Sequence, residues 1–263
     1  MAERPEAVLQ VRDPADMSKD TIYAGQRNGD EPFRFDATVA EVFPDMLRRS
    51  IPGYAAAIEG IGSLAGRYVR PASNCYDLGC SLLATTFAIR RGIRVPECRI
   101  IAVDNAPAMI ERCRALLEKD DTENASQTPV ELLHGDIRDT DIRNASMVVM
   151  NYTLQFLSLG DRDSMIARIF DGLLPGGLFV LSEKVVDQDP HMEALLVALH
   201  HEHKRRNDYS ALEISRKRAA LENVLIPETV AAHGDRLRRA GFSHTGVWLR
   251  FFNFVSIVAI KQA

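Results

Sequence analysis

Asn74-Cys75-Tyr76-Asp77-Leu78-Gly79-Cys80-Ser81 decides how the rest of the chain is read. It is a short apolar run that ends abruptly at a glycine and two small polar residues, with a helical pattern following. That reads as a buried strand entering a small-residue turn. In an alternating α/β chain, the crevice beyond the carboxyl end of the first strand takes a nucleotide-like ligand. The turn lacks the full GxGxxG of a dinucleotide site. Gly79 alone still lets backbone approach a ligand, and Ser81 offers a hydroxyl and a backbone N–H. With less room for a pyrophosphate, a ligand without phosphate is favoured, and a plain structural glycine is the alternative.

The pattern alternates from this stretch onward. Further strands are expected at 99–103 ending in Asp104, at 130–134 ending in Gly135-Asp136, at 145–150 ending in Asn151, and at 178–182. Helices are expected at 82–91, from Pro107 through Leu117, and at 163–172. Such strand–helix units give a doubly wound, mostly parallel sheet. After Glu183 the pattern changes: 189–225 reads as an inserted helical cap, and a helix at 229–240 stops at Gly241. Apolar runs at 246–252 and 254–260 make an antiparallel C-terminal hairpin at the sheet edge, for seven strands in all. Upstream, a helix over 36–47 is expected to break or restart at Pro44. A second helix face carries Ile58, Ile61, Leu64 and Ala65, and the two helices are placed across the crevice as a lid. Residues 1–19 read as a disordered tail, and 20–263 as a single α/β domain. Within it, 20–31 is expected to order only against a ligand or partner.

Composition narrows the function classes. The 263 residues are 46% hydrophobic and 26% charged, which is globular. A net charge of -4 gives no global attraction to phosphate backbones, so direct nucleic-acid binding is not expected. The apolar run at 254–260 is too short to span a membrane, and no signal-peptide pattern opens the chain. Cys75, Cys80, Cys98 and Cys113 form no CxxC pair and read as reduced core residues of a cytoplasmic protein. His200, His201 and His203 lack a metal-site spacing and read as a solvated surface, like the Lys204-Arg205-Arg206 run beside them. No metal site and no Ser-His-Asp or Cys-His arrangement is expected.

The strand ends supply the candidate site. Asp104, 27 residues beyond Asp77, can accept hydrogen bonds from ribose hydroxyls, or simply cap the next helix. Asp136 and Ile137 could read and cover a purine, and Asn151 ends the fourth strand. In the cap, Ile214, Leu221 and Leu225 share a helical face with Arg218, whereas Arg216 and Lys217 are out of phase. A guanidinium on an apolar face either snorkels at its border or pairs with an anion, such as a ligand carboxylate.

The chain resembles the carboxy-S-adenosyl-L-methionine (carboxy-SAM) synthases, a family with the class I S-adenosylmethionine (SAM) methyltransferase fold, from about residue 20 to the C-terminus. The strings that carry this are Val39-Ala40-Glu41-Val42-Phe43-Pro44-Asp45-Met46, Arg49-Ser50-Ile51-Pro52-Gly53-Tyr54, Tyr76-Asp77-Leu78-Gly79-Cys80-Ser81, Gly135-Asp136-Ile137-Arg138-Asp139, and Leu212-Glu213-Ile214-Ser215 leading into Lys217-Arg218. The resemblance implies conversion of SAM and prephenate into carboxy-SAM and phenylpyruvate without methyl transfer. Decarboxylation of prephenate would supply the carbon dioxide and the base that deprotonates the SAM methyl group. It also implies a homodimer, whose product a separate tRNA carboxymethyltransferase uses on wobble uridine. Its ligand contacts fall on Tyr54, Gly79, Cys80, Ser81, Asp104, Asn105, Asp136, Ile137, Asn151 and Arg218. Arg218 is implied as the catalytic-site partner of the added carboxylate. Two positions depart: Leu83 where the family usually has Gly, and Ala106 where it usually has Ser. The competing readings are an ordinary SAM-dependent methyltransferase acting on a small acid, and a SAM-binding module without catalysis.

Overall fold

The computed structural model describes residues 18–25, 32–123 and 128–263. Apart from Ser18 and Lys19, the expected tail lies outside the described residues. Seven strands share one sheet: β1 (Asn74–Leu78), β2 (Arg99–Asp104), β3 (Val130–His134), β4 (Ala145–Asn151), β5 (Leu173–Lys184), β6 (His244–Phe251) and β7 (Phe254–Ile260). Their order is β3-β2-β1-β4-β5-β7-β6, with β1 to β5 parallel and β7 antiparallel to both its neighbours. The chain runs outward from β1 to β3 and returns to place β4 on β1's other side. That reversal opens a crevice at the carboxyl ends of β1 and β4.

Side-chain alternation builds two cores. Cys75, Ile100, Met147, Val149, Leu178 and Val180 face α2 (Tyr54–Tyr68) and α3 (Ala84–Gly92). The intervening Tyr76, Ile101, Val148, Met150, Phe179 and Leu181 face α5 (Leu159–Gly172) and α8 (Val230–Ala240). A parallel strand covered on both faces needs apolar residues at both phases, and this explains the near-continuous runs in β1 and β4.

The region before β1 departs from expectation. α1 (Ala37–Ser50) continues through Pro44 without a break. Proline denies Ala40 its usual donor, but packing fixes the helix: Val39, Ala40, Val42, Phe43 and Met46 are buried in one cluster with Met109 and Ala220. α2 is not a lid. Ile61 and Ala65 are buried on the sheet core, and α2 meets α3 backbone to backbone. A Cβ on Gly92 would lie 2.1 Å from the Gly62 carbonyl oxygen, and one on Gly62 2.9 Å from that of Ala88. Only glycine permits such an approach. α1 does border the crevice, through Ala40, Phe43, Pro44 and Leu47.

Of the segment 20–31, residues 20–25 pack against their own chain rather than awaiting a partner, and 26–31 lie outside the described residues. Asp20 and Tyr23 are 1% and 5% exposed, and the Asp20 N–H donates to Asp45 Oδ2 at 2.8 Å. The expected cap is two helices, α6 (Pro190–Arg206) and α7 (Ala211–Leu221), following α4 (Pro107–Glu123) and α5 in chain order. Asp208, at φ 62°, turns the chain between them. Asp189 caps α6, and Ser210 with Glu213 forms a capping box on α7. The chain leaving the cap is clamped by Arg162 of α5, which is 0% exposed. Its guanidinium donates to Glu228 Oε2 at 2.5 Å and to the carbonyls of Ile226, Gln155 and Leu157. Among the described residues, no helix is long and apolar enough to cross a membrane.

Candidate active site

A cavity of about 2970 Å³ opens at the carboxyl ends of the parallel strands, between α1, α2 and the cap. All ten residues expected at the site line it: Tyr54, Gly79, Cys80, Ser81, Asp104, Asn105, Asp136, Ile137, Asn151 and Arg218. The cleft is open and continues from the strand ends along α2 and α3 as far as Arg67 and Arg94.

The turn after β1 is held from two sides. Gly79 has φ +85°, and its N–H donates to the Val103 carbonyl at 2.8 Å. An added Cβ would meet Thr153 Cγ2 and Oγ1 at 2.4 Å. The turns following β1 and β4 therefore touch, and glycine is required by both the dihedral and the contact. Ser81, at φ 47°, donates its N–H to Asp104 Oδ2 at 2.9 Å, while Asp104 Oδ1 accepts from the Ala106 N–H at 2.9 Å. Asp104 is thus the carboxylate on the crevice wall and also ties the Ser81 turn to the segment leading into α4. Burial raises its pKa, against the pull of the N–H donors around it. The Cys80 thiol packs in a cluster with Leu83, Ala102 and Cys113. Contact with Cys113, followed by burial, pushes it well above the usual thiol range, so it is a neutral packing group.

Among the buried acceptors without donors in the described residues, two belong to β1 and β4. Asp77 is 0% exposed; Oδ2 accepts from the Thr86 hydroxyl at 2.6 Å, and Oδ1 has no partner. Burial lifts its pKa to about 7. On the crevice wall, Asn151 donates through Nδ2 to Thr85 Oγ1 at 3.2 Å, leaving Oδ1 unpartnered. A buried acceptor left open is costly, and the amine and hydroxyl donors of an amino-acid nucleoside would satisfy it. The Tyr54 ring lies 6.3 Å from that of Tyr152, and burial with the Asp77 carboxylate beyond raises its hydroxyl pKa. Asp136 differs from the free carboxylate expected. Arg138 engages both its oxygens, at 2.6 Å for the closest contact, and holds its pKa below the carboxylate range. Ile137 beside it is 7% exposed and packs on the sheet core.

The cap side of the cavity is cationic. Arg218 lines it, exposed, and makes no hydrogen bond or ion pair among the described residues. Lys217, expected off the buried face, is 6% exposed; its Nζ donates to Ser50 Oγ at 2.9 Å and lies 3.7 Å from Asp20 Oδ2. His200 and Lys204 are not a solvated surface either, being 5% and 8% exposed. His200 donates through Nε2 to the Ser50 carbonyl at 2.9 Å and packs edge-on against Phe254. Burial and then Lys204 push its pKa down to about 2, so it is neutral.

Residues 76–177 match the family described as Methyltransferase domain. A curated carboxy-S-adenosyl-L-methionine synthase of Klebsiella pneumoniae subsp. pneumoniae is 50% identical over 243 residues, 92% of this chain and 97% of that protein. The protein so named from Shewanella sediminis is 53% identical over 244 residues, 93% and 99% of the two chains. The chain belongs to the carboxy-SAM synthase family. Among solved structures, an O-methyltransferase family protein from Burkholderia thailandensis has TM-score 0.63 at 15% identity, covering 87% of this chain and 61% of that one. A putative SAM-dependent methyltransferase from Methanococcus maripaludis has TM-score 0.56 at 19% identity, covering 89% and 97%. These two similarities establish the fold.

Both departures from the carboxy-SAM synthase pattern have local explanations. Leu83 sits at φ +66°, a costly conformation for a side chain, but it is fully buried in the Cys80–Cys113 cluster and does not line the cavity. At Ala106, just before α4, there is no side-chain oxygen to cap the helix, and the Asp104 carboxylate instead fixes the turn by accepting the Ala106 N–H. Lys184, Lys204 and Lys217 were missed as wall residues. The signal for Lys204 was its i, i+4 spacing from Leu196 and His200, the three buried positions of α6.

Proposed function

We propose that this enzyme makes carboxy-SAM from SAM and prephenate, releasing phenylpyruvate. The observation that carries the reading is Arg218: an unpaired guanidinium on the wall of a SAM-type crevice, in a chain half identical to named carboxy-SAM synthases. A cation there suits a sulfonium ligand that gains a carboxylate more than one that loses a methyl group. In the proposed binding mode Gly79, Cys80 and Ser81 take the amino-acid end with Asn151. Asp104 and Asn105 meet the ribose, Asp136 and Ile137 border the adenine, and Tyr54 closes over the sulfonium.

The chemistry balances without an added base. Prephenate loses its ring carboxylate as carbon dioxide and its ring hydroxyl as hydroxide, leaving phenylpyruvate. Hydroxide takes a proton from the SAM methyl group to give water. The methylene carbanion then forms a C–C bond to carbon dioxide. This chain's share is to hold the reactants together, keep water away from the carbanion, and receive the new carboxylate on Arg218. The proposal extends to a cytoplasmic homodimer whose product feeds carboxymethylation of tRNA. Four free, buried cysteines suit a reducing compartment, and exposed Met192, Leu195 and Leu212 on the cap suit a subunit contact.

Mass spectrometry of the small molecules released after incubation with SAM and prephenate tests this. Carboxylated SAM together with phenylpyruvate is the expected result. A methylated acid with S-adenosylhomocysteine, or unchanged SAM, overturns it.

A further inference from the structure

Beyond Arg218, the cavity wall carries two lysines that make no ion pair among the described residues. Lys204, on α6, is 8% exposed and lines the cavity, and its Nζ has no hydrogen-bond or ion-pair partner among the described residues. Lys184, at the end of β5, also lines the cavity, and its Nζ likewise lacks such a partner. Their surroundings are mainly cationic: Lys217 and Lys184 act on Lys204, and Arg218 acts on Lys184. The acids nearby are largely engaged. Asp20 serves Lys217 and the Tyr209 hydroxyl, and Glu193, the one carboxylate acting on Lys184, accepts the Asp187 N–H at 2.8 Å.

A lysine whose stem is buried and whose ammonium faces the cavity among mainly cationic neighbours is unfavourable until an anion joins it. Burial and then the two neighbouring lysines lower the pKa of Lys204 to about 7. A chain that needed only packing here would do better with methionine or leucine. Lys204 is therefore arranged to be completed by an anion entering the cavity. Arg218 cannot account for it, since the carboxylate assigned to that residue forms during the reaction.

We propose that Lys204, assisted by Lys184, binds the carboxylate that the second substrate retains, that of its 2-oxo-acid side chain, and so selects an anionic co-substrate. This rests on the two-substrate reading above. The lysines hold the end of the molecule that is unchanged by reaction, and the ring carboxylate, which must shed its charge to leave as carbon dioxide, is left without a tight cation. The assignment makes Lys204 and Lys184 specificity-determining residues, separate from the SAM contacts.

The test uses the full-length protein loaded with SAM, with phenylpyruvate as the binding probe and prephenate as the substrate. Lys204→Met keeps the length and apolar stem of the side chain while removing its charge. It is expected to weaken phenylpyruvate binding and raise KM for prephenate by about tenfold or more, with SAM affinity unchanged. The same variant is expected to melt at a higher temperature, because an unpaired buried charge is gone; a purely structural lysine would give the opposite sign. Lys184→Met should weaken phenylpyruvate binding by a smaller factor. If both variants bind phenylpyruvate as the parent does, with unchanged KM, the subsite is wrong while the synthase reading stands. If the parent binds phenylpyruvate through Lys204 yet never consumes prephenate, the subsite stands and the synthase reading falls.

Discussion

Replacing Gly79 with alanine should separate the two reasons that position is glycine. The backbone has φ +85°, and a left-handed conformation costs an L-residue about 1–2 kcal/mol. The new methyl would also lie 2.4 Å from Thr153 Cγ2 and Oγ1 and 3.0 Å from Cβ, a packing conflict worth about 1–3 kcal/mol. Together they predict a loss of about 2–5 kcal/mol, a large share of the 5–15 kcal/mol typical of a folded chain. Thr153→Ala removes the two atoms at 2.4 Å and leaves the one at 3.0 Å, so the double variant should regain most of the packing share and none of the backbone share. Urea denaturation of the parent, both single variants and the double variant gives the coupling energy, provided the m-values agree. Calorimetry should show SAM affinity falling about tenfold or more in Gly79→Ala and partly returning in the double variant. Equal stability for Gly79→Ala with and without Thr153→Ala would refute the contact between the two turns. A change below about 0.5 kcal/mol in the single variant would refute the whole argument.

Arg218→Met should lower carboxy-SAM affinity by about 10- to 100-fold, corresponding to about 1.5–3 kcal/mol for a charge-assisted pair, while SAM affinity stays within about twofold. Calorimetry with both ligands checks this, and equal losses would contradict the role given to Arg218. His200 is held neutral far below its ordinary pKa, so its stability contribution is present above about pH 6.5 and is lost as pH falls from there toward 2. The groups around it are Lys204, Lys184, His201, the Ser50 carbonyl and Phe254. Urea midpoints between pH 7 and 4.5 should decline less steeply in His200→Gln, by up to about 1.4 kcal/mol per pH unit, and parallel slopes would count against burial of the neutral ring. Arg162→Met removes a donor from the carbonyls of Ile226, Gln155 and Leu157 and one partner of Glu228, which predicts about 3–5 kcal/mol of destabilisation by thermal melting.

Elements governed by short-range pattern were legible in the sequence. Strands β1, β2 and β4 end at Leu78, Asp104 and Asn151, close to where apolar runs give way to Gly79, Asp104 and Asn151. The edge hairpin follows from two apolar runs with one turn between them. Where sequence reading failed, contacts distant along the chain decided the outcome. Pro44 is a helix breaker by local rules, yet a cluster reaching as far as Ala220 holds α1 straight. Lys217 looked out of phase because the apolar stripe of α7 was traced through Leu221 and Leu225, whereas the buried side follows Ile214, Lys217 and Ala220. Lys204 looked solvated because charge was read as exposure. Asp104 was legible as a strand-end carboxylate, but its two backbone partners, the Ser81 and Ala106 N–H groups, depend on how the turns after β1 and β2 come together.

Where α2 and α3 meet at Gly62 and Gly92, backbone lies against backbone with only small side chains beside it, so that flank of the cavity is closely fitted. The opposite flank is built differently: α1 and the segment before it meet the cap through Arg49 on the Asn207 carbonyl, Lys217 on Ser50 and Tyr209 on Asp20. Such bonds can be exchanged for water one at a time, whereas two abutting backbones part all at once or not at all. The cavity thus has one wall of abutting backbone and one wall of separable side-chain bonds.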